Sequence, residues 1–160
     1  MLIRRAGEGD WSALWPTWHA VVAAGDTYTF APDTASDDAR ALWLPPSPAE
    51  TWLAEDGGVH GTYVLKPNQL GPGAHVANAS FMVASPAQGR GVGRALAEHC
   101  LDRARELGYA AMQFNAVVAT NKRAIALWES LGFATVGRIP GAFRHPTEGE
   151  VDLLVMHRHL

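Results

Sequence analysis

The sequence of 160 residues has a single cysteine, Cys100, so an internal disulfide bond is excluded. No apolar run approaches the roughly 18 residues that identify a membrane-spanning helix. The N-terminal residues 1–5 turn polar at once and lack the apolar stretch of a secretory signal. The net charge of −3 lacks the basic excess on which non-specific nucleic-acid binding depends. These absences predict a cytoplasmic protein that binds neither a membrane nor nucleic acid.

What the chain does contain is typical of one globular domain, which we expect to span residues 1–160. Hydrophobic residues make up 48% and charged residues 18% of the sequence, close to the average for such domains. The length also fits one domain. Six tryptophans supply large apolar side chains for a core. Cys100 falls on the apolar stripe of a predicted helix, which indicates a buried and inert thiol.

Periodicity and turn residues predict an α/β (α+β) protein with a mixed sheet. We expect strands at residues 2–5, 51–55, 59–65, 74–83, 111–118, 133–139 and 151–157. Helices are expected from 11 to about 24, briefly from 36, and over 92–107 and 121–131. Asp10 is the predicted N-cap of the first helix, and Pro16 predicts a kink or a later start. Residues 25–50 are the least regular part, with an extended stretch at 27–30, and their length favours a functional role.

The stretch from residue 83 to 94 has the arrangement of an anion-binding loop. A predicted strand ends at Val83, glycines follow at Gly89, Gly91 and Gly93, and a helix begins at once. Glycine permits positive φ and leaves amide N–H groups unshielded. The N-terminus of a helix also favours negative charge. The loop therefore predicts a site for a pyrophosphate.

Two common phosphate-binding loops do not fit this spacing. A Walker loop needs four residues between its glycines and then Gly-Lys-Ser/Thr, which is absent. A dinucleotide-binding loop needs Gly-x-Gly-x-x-Gly in an early βαβ unit and an acidic residue about twenty positions later. Here the third glycine comes one residue early, and the later stretch reads Gln113-Phe114-Asn115.

Two motifs follow one another in the second half of the chain. The first is Gln88-x-x-Gly91-x-Gly93, and the second is Asn121-x-x-Ala124-x-x-Leu127-Trp128-x-x-x-Gly132-Phe133. One predicted helix and one predicted strand separate them. In this order they resemble the GNAT superfamily of acyl-CoA N-acyltransferases, over about residues 74–157. The resemblance implies a splayed, mixed sheet of six to seven strands flanked by about four helices.

The resemblance also implies an acyltransferase of class EC 2.3.1 that uses acetyl-CoA as co-substrate and attacks it directly with an amine. Backbone N–H groups of the glycine loop would hold the pyrophosphate. Backbone groups at the end of the preceding strand would pair with the pantetheine, and Asn121 would bond its arm besides being a candidate N-cap. The implied cofactor-binding residues are Met82, Val83, Gln88, Gly89, Arg90, Gly91, Val92, Gly93, Arg94 and Asn121.

Trp128 departs from the family pattern. Many members have a tyrosine at this position, poised to protonate the leaving thiolate. An indole N–H donates a hydrogen bond but is not an acid near neutral pH. A thiol with an ordinary pKa of about 8.5 leaves with modest help, so activity does not require the tyrosine. We expect Trp128 to pack in the core, and a non-catalytic acyl-CoA sensor remains an alternative function.

Two asparagines, Asn78 and Asn115, lie inside predicted strands, where asparagine is depleted. Acyl transfer places negative charge on the thioester oxygen, which fixed hydrogen-bond donors stabilise. We predict that Asn115 stabilises the oxyanion or the thiolate and that Asn78 orients the substrate. Hydrogen bonding across the splayed strands is the alternative role for both.

The run from Lys66 to Phe81 together with Phe114-Asn115 also resembles a smaller branch whose members acetylate small amino or imino acids. This implies a small-molecule amine as acceptor and Phe81 as a wall of its pocket. The carboxylate of such an acceptor would need backbone amides or one of the candidates Arg40, Arg138 and Arg144. A protein or peptide acceptor is the alternative, and a homodimer is compatible with the sequence.

The sequence does not select a general base. His60, His75 and His145 have suitable chemistry, but nothing in their spacing favours one of them. The pairs His145/Glu148 and His157/His159 lie in a loop and in a terminal strand, and we predict no metal site.

Overall fold

The computed structural model describes all 160 residues and contains seven strands and four α-helices. The strands are β1 (Leu2–Arg5), β2 (Glu50–Glu55), β3 (Val59–Pro67), β4 (Val76–Val83), β5 (Ala111–Val118), β6 (Ala134–His145) and β7 (Gly149–His159). The helices are α1 (Trp11–Ala23), α2 (Ser36–Trp43), α3 (Val92–Glu106) and α4 (Lys122–Ser130). The predicted class, a mixed sheet of six to seven strands with four helices, is confirmed.

The strands form one sheet in the order β1-β2-β3-β4-β5-β7-β6. Strands β1 to β4 pair in antiparallel fashion, as do β5, β7 and β6. The two halves meet where β4 and β5 run parallel, and only Val76–Ala111 and Ala77–Met112 are paired there. Beyond these pairs the two strands separate. The sheet therefore consists of two antiparallel halves that splay apart from a short parallel junction.

Apolar side chains cover both faces of the sheet. One core joins α3 and α4 to the sheet and includes Leu96, Met112 and Trp128. The other joins α1 and α2 to it and includes Trp18 and Trp43. Because successive side chains of a strand point to opposite faces, β4 contributes to both cores. None of the helices combines the length and apolar character that crossing a membrane requires.

The boundaries differ from prediction mainly in the last hairpin. Strand β6 continues past Ile139 to His145 through Pro140. Proline is tolerated because β6 is an edge strand, so its missing N–H need not interrupt a ladder. The register also shifts between Ile139 and Phe143, which accommodates the irregular backbone.

Two local predictions near the N-terminus are corrected. Asp10 stands at the N-cap of α1, but its side chain makes no capping bond. It accepts instead from the Gly7 N–H at 2.8 Å and from both terminal nitrogens of Arg4. Residues 27–30 form bends rather than an extended strand. Pro16 lies within α1, which begins at Trp11 as predicted.

A buried ion pair links α3 to strand β2. Glu50 is only 6% exposed. Its carboxylate accepts from Nε and Nη2 of Arg103, at 2.8 Å each, and from the Trp52 indole at 3.0 Å. The bonds from Arg103 hold the pKa of Glu50 below its usual value. Folding therefore favours the charged carboxylate at this position.

We predict that Arg103→Met lowers the free energy of unfolding at pH 7 by about 2 kcal/mol, since it strips a buried carboxylate of its main partner. The loss is partial because Arg5 remains 3.6 Å from Glu50. A lowered folded-state pKa contributes stability above the unfolded value, about 4.3, and loses it as the pH falls through the folded value. The difference in the free energy of unfolding between Arg103→Met and wild type should therefore become smaller in acid.

Urea unfolding at pH 7 and near pH 3 measures both effects. Arg105→Met is the matched control, because its partner Asp102, 2.7 Å away, is exposed, and it should change stability by less than about 0.5 kcal/mol. If the stability difference between Arg103→Met and wild type stayed constant or grew in acid, the charged Glu50 carboxylate would not be its source.

Candidate active site

The glycine loop presents free amide groups at the start of α3. Gly89 and Gly91 have φ of 77° and 81°, which favours glycine. The bond from Ala95 N–H to the Gly91 carbonyl is the first of the helix. The N–H groups of Val92, Gly93 and Arg94 therefore have no partner within the helix. These three amides, at the positive end of the helix dipole, form an anion-binding site.

Not every predicted loop donor is available. The Gln88 N–H donates to the Ser85 carbonyl at 3.3 Å, and the Arg90 N–H donates to Ala87 at 3.4 Å. These bonds shape the turn, so the predicted contribution of both backbone groups is weakened.

Two arginines supply positive charge near this loop. Arg94 lines the cleft described below and donates to the Ser130 hydroxyl at 2.8 Å, whereas the predicted Arg90 does not line it. Arg123, at the start of α4, lies so close that a Cβ built on Gly89 would be 3.6 Å from its Nη2 atom. The sequence motifs did not indicate Arg123, because only the fold brings α4 to the loop.

A cleft of about 850 Å³ opens where β4 and β5 separate, and it reaches from the glycine loop to residues 26–30. Its walls include every residue of the predicted cofactor-binding set except Arg90. The structure also brings Asn78, Phe81, Asn115 and Asn121 to the same cleft as the loop. It also adds the segment between α1 and α2, whose role the sequence left open.

The free backbone edge of β4 belongs to Phe81 and Val83 rather than to Met82. The bonds from Asn68 N–H to Val76 and from Ala84 N–H to His60 join even-numbered residues of β4 to β3. Backbone groups of alternate residues point to opposite neighbours, so those of Met82 also face β3. Met82 therefore lacks the free backbone groups that the prediction requires. Phe81 and Val83 have them, on the side of the splay.

The two asparagines hold polar groups in place across the splay. Asn78 Nδ2 donates to the Gln113 carbonyl at 2.9 Å, which replaces a ladder bond where the strands part. Asn115 Nδ2 donates to Asn68 Oδ1 at 2.7 Å and its Oδ1 accepts from Gln113 at 2.9 Å. Asn115 is exposed and lies where the register of β5 against β7 shifts. The cross-strand bond considered as the alternative role is present for Asn78, whereas Asn115 bonds to the turn after β3 and to its own strand.

Trp128 is 8% exposed and packs as the sequence analysis expected. Its ring centroid lies 5.0 Å from that of Phe81 and 4.7 Å from that of Phe114. Phe114 in turn stacks on Phe133 at 4.5 Å. These four rings fill the space between the separated strands on the side of α3 and α4. Phe81 is therefore both a wall of the cleft and a part of this aromatic cluster.

Tyr28 attaches the segment between α1 and α2 to β4. Its hydroxyl donates to the Phe81 carbonyl at 2.6 Å. Its ring stacks on Phe30 with centroids 5.6 Å apart and meets Trp43 edge-on at 6.2 Å. Burial raises the pKa of the Tyr28 phenol, so the hydroxyl stays protonated and donates. No sequence pattern indicated this contact, which joins residues 53 positions apart.

A smaller cavity of about 400 Å³, here called the polar annex, adjoins the cleft. Its nine lining residues include no hydrophobic side chain. They are Asp26, Thr27, Thr120, Asn121, Lys122, Arg123, His145, Thr147 and Glu148. Four of them, Asp26, Thr27, Asn121 and Arg123, also line the cleft. The two cavities therefore share a boundary at residue 26 and the start of α4.

Of the three histidines considered as bases, only His145 borders either cavity. Its Nδ1 accepts from the backbone N–H groups of Thr147 and Glu148 at 3.2 and 3.3 Å. These bonds occupy Nδ1, so this nitrogen is not free to bind a ligand in the annex. No cluster of three or more His, Cys, Asp or Glu side chains is arranged to hold a metal ion.

The three arginines considered for an acceptor carboxylate lie outside both cavities. Each is paired with an acidic residue: Arg40 with Glu8, Arg138 with Asp152 and Arg144 with Glu150. The predicted role for them is therefore wrong. Lys122 and Arg123 are the cations of the polar annex.

A model of the acetyltransferase (GNAT) family matches residues 13–133. The chain belongs to the GNAT acetyltransferase family. The resemblance in the two sequence motifs is thereby confirmed. This GNAT chain is 38% identical over 100 residues to N-acetyltransferase aca1 of Schizosaccharomyces pombe, a match that covers 62% of this chain and 48% of that protein. It therefore spans about half the length of that relative.

Solved structures resemble the GNAT chain over its whole length. A GCN5-related N-acetyltransferase from Kribbella flavida is 50% identical, with a TM-score of 0.95 over 99% of this chain and 97% of that one. A ribosomal-protein-alanine N-acetyltransferase from Brucella melitensis is 28% identical, with a TM-score of 0.85 over both entire chains. The Salmonella typhimurium yncA, a putative acetyltransferase solved with acetyl-CoA, is 25% identical, with a TM-score of 0.83 over 100% of this chain and 94% of that one.

Proposed function

We propose that the protein transfers the acetyl group of acetyl-CoA directly to the amine of a small molecule. One observation carries the proposal: free amides at the start of α3 and the unpaired edge of β4 face a single cleft of about 850 Å³. This combination suits a ligand with an anionic end and an amide-bearing arm. Membership of the GNAT family and the acetyl-CoA in the Salmonella relative support the same co-substrate.

The pyrophosphate would accept hydrogen bonds from the amides of Val92, Gly93 and Arg94, with charge from Arg94 and Arg123. The pantetheine would lie in the splay and pair with the backbone of Phe81 and Val83, because an extended ligand can complete a strand's open edge. Asn121 already accepts from the Ala124 N–H at 3.2 Å as the N-cap of α4. Its Nδ2 group remains to donate to the ligand, so the two predicted roles of Asn121 are compatible.

The reaction would proceed by attack of the neutral amine on the thioester carbon. The carbonyl oxygen becomes negative in the tetrahedral intermediate, and Asn115 is the side-chain donor that we propose for it. The C–S bond then breaks, and the thiolate leaves without an acid from Trp128. Cys100 is fully buried and burial raises the pKa of its thiol, so no covalent enzyme intermediate is proposed.

The attachment of residues 26–30 to β4 supports a small acceptor, since it places a wall beside the cleft. For an amino or imino acid, Lys122 replaces the three outlying arginines as the partner of the carboxylate, because Arg123 is assigned to the pyrophosphate. A peptide N-terminus is the second candidate acceptor. The observation that favours it is the likeness to the Brucella enzyme, whose name specifies ribosomal-protein alanine.

We predict that Gly91→Ala weakens acetyl-CoA binding about tenfold or more, because positive φ strains an L-residue by about 1–2 kcal/mol and turns the loop amides. Gly57→Ala is the matched control. Gly57 has a similar φ of 70°, and a Cβ would meet no atom within 4 Å at either position. Both variants should lose similar stability in thermal unfolding, and only Gly91→Ala should weaken binding in calorimetry. Equal affinity of the two variants would argue against the loop as the pyrophosphate site.

We predict that Asn115→Ala lowers kcat about 100-fold with little change in acetyl-CoA affinity, as expected for a lost oxyanion donor. Asn68→Ala is the control, because it removes the partner of Asn115 at 2.7 Å but keeps the amide itself. Steady-state kinetics with any accepted amine measures the difference. A folded Asn115→Ala protein with full turnover would leave Asn115 only its structural bonds.

Thiol release from acetyl-CoA across a panel of amines tests the proposed function. The panel contains amino acids, imino acids, polyamines, aminoglycosides and short peptides, some with N-terminal alanine. We expect release with a small amine and an increase in thermal stability with acetyl-CoA. Release with peptides alone would favour the second candidate. Stabilisation by acetyl-CoA without release from any amine would favour the acyl-CoA sensor instead.

A further inference from the structure

Acetyl transfer to an amine requires a proton acceptor, which the sequence did not identify. Amines with a pKa of about 8 to 10 are mostly ammonium ions at neutral pH. The nitrogen must lose a proton before it can attack. The base therefore has to lie where the acceptor meets the cleft.

Asp26 is the only residue with a carboxylate among the 31 that line the cleft, and no histidine lines it. The other ionisable side chains there are Tyr28, Arg94 and Arg123. Both arginines are permanent cations. The phenol of Tyr28 is held protonated by burial and donates to Phe81. Asn78 and Asn115 are amides and cannot take up a proton. Among the residues that line the cleft, elimination leaves Asp26.

The fold holds Asp26 at the border of the cleft from both sides. Gly25 has a φ of 68°, which lets the chain turn away directly after α1. Two residues later, Tyr28 is bonded to the Phe81 carbonyl on the open edge of β4. Asp26 lies between these two fixed points, on the part of the connection that lines the cleft.

Asp26 has no ion-pair partner, unlike the acidic residues that serve the fold. Asp10, Glu50 and Asp152 each pair with an arginine at 2.8 Å or less. None of the ion pairs in the molecule includes Asp26. The side chain is half-buried and lines both the cleft and the polar annex. A carboxylate kept unpaired at the boundary of two cavities is available to a cation from solvent.

We propose that Asp26 is the catalytic residue that binds the acceptor ammonium and takes its proton, a role that rests on the proposed function. The acceptor would enter through the polar annex, so its class is a primary or secondary amine with a polar body. One proton passes from the ammonium to the carboxylate, directly or through a water molecule, and then to solvent. The nitrogen lone pair forms the N–C bond, the C–S bond breaks, and the nitrogen's second proton ends on the thiolate through solvent. Ammonium and acetyl-CoA thus give amide, free thiol and one released proton.

Asp26→Asn tests this role, because the amide is nearly isosteric but accepts no proton. Asp33→Asn is the matched control, since Asp33 lies on the same connection but is exposed and borders neither cavity. The measurements are kcat/KM with the acceptor found in the amine panel, Kd for acetyl-CoA and the unfolding temperature. The acceptor is compared with a fluorinated analogue whose amine is less basic.

We expect Asp26→Asn to lower kcat/KM about 100-fold or more, the usual contribution of a general base. Acetyl-CoA affinity and unfolding temperature should stay near the wild-type values, and Asp33→Asn should behave like the wild type. The defect should shrink with the less basic analogue, which needs less help to lose its proton. A purely structural role for Asp26 would affect both amines equally.

Two results would overturn the assignment while leaving the proposed function intact. One is an Asp26→Asn protein with kcat/KM within about threefold of a wild type that turns over. The other is an equal defect for both amines together with weakened acetyl-CoA binding. A wild-type protein that turns over no amine would remove the proposed function, and the role of Asp26 with it.

Discussion

The separation of β4 and β5 is the constraint on which the rest of the structure depends. After two parallel pairs the strands separate, and the backbone N–H and C=O groups that face the other strand no longer bond to it. A buried backbone group without a partner is costly, so the molecule must satisfy or solvate this edge. The Asn78 side chain donates to the Gln113 carbonyl of β5, and the Tyr28 hydroxyl donates to the Phe81 carbonyl of β4. Each bond satisfies a carbonyl that has no partner in the opposite strand. What remains of the edge is open to a ligand that can act as a strand.

The strands stay apart because aromatic side chains occupy the space between them. Phe81 and Phe114 extend from the two strands with centroids 6.1 Å apart, and Trp128 contacts both. Trp128 gives this cluster a large apolar surface but no acidic hydroxyl. The proposed transfer does not require one, because a thiolate is a good leaving group.

Sequence reasoning succeeded where one local stretch contains the whole signal. The glycine loop, the stripe of α3 and the cap of α4 are such stretches, and all lie where expected. It failed where the signal is a contact between distant segments. Arg123 beside Gly89 and Tyr28 on Phe81 depend on packing that no spacing records. Met82 shows a third limit, since which residues of a strand face the open edge depends on the pairing register. Arg40, Arg138 and Arg144 have the right charge to bind a carboxylate, but charge alone does not reveal that each already has an acidic partner.

The bond between Tyr28 and Phe81 links the segment between α1 and α2 to the open edge of β4. A carbonyl oxygen has two lone pairs, so the Phe81 carbonyl can accept from Tyr28 and still serve a ligand in the splay. The segment between α1 and α2 has no regular structure from residue 25 to 35, so no helix or strand ladder of its own fixes its path. Gly25, where the chain turns at positive φ, and the stack of Tyr28 on Phe30 therefore help to keep it beside the cleft.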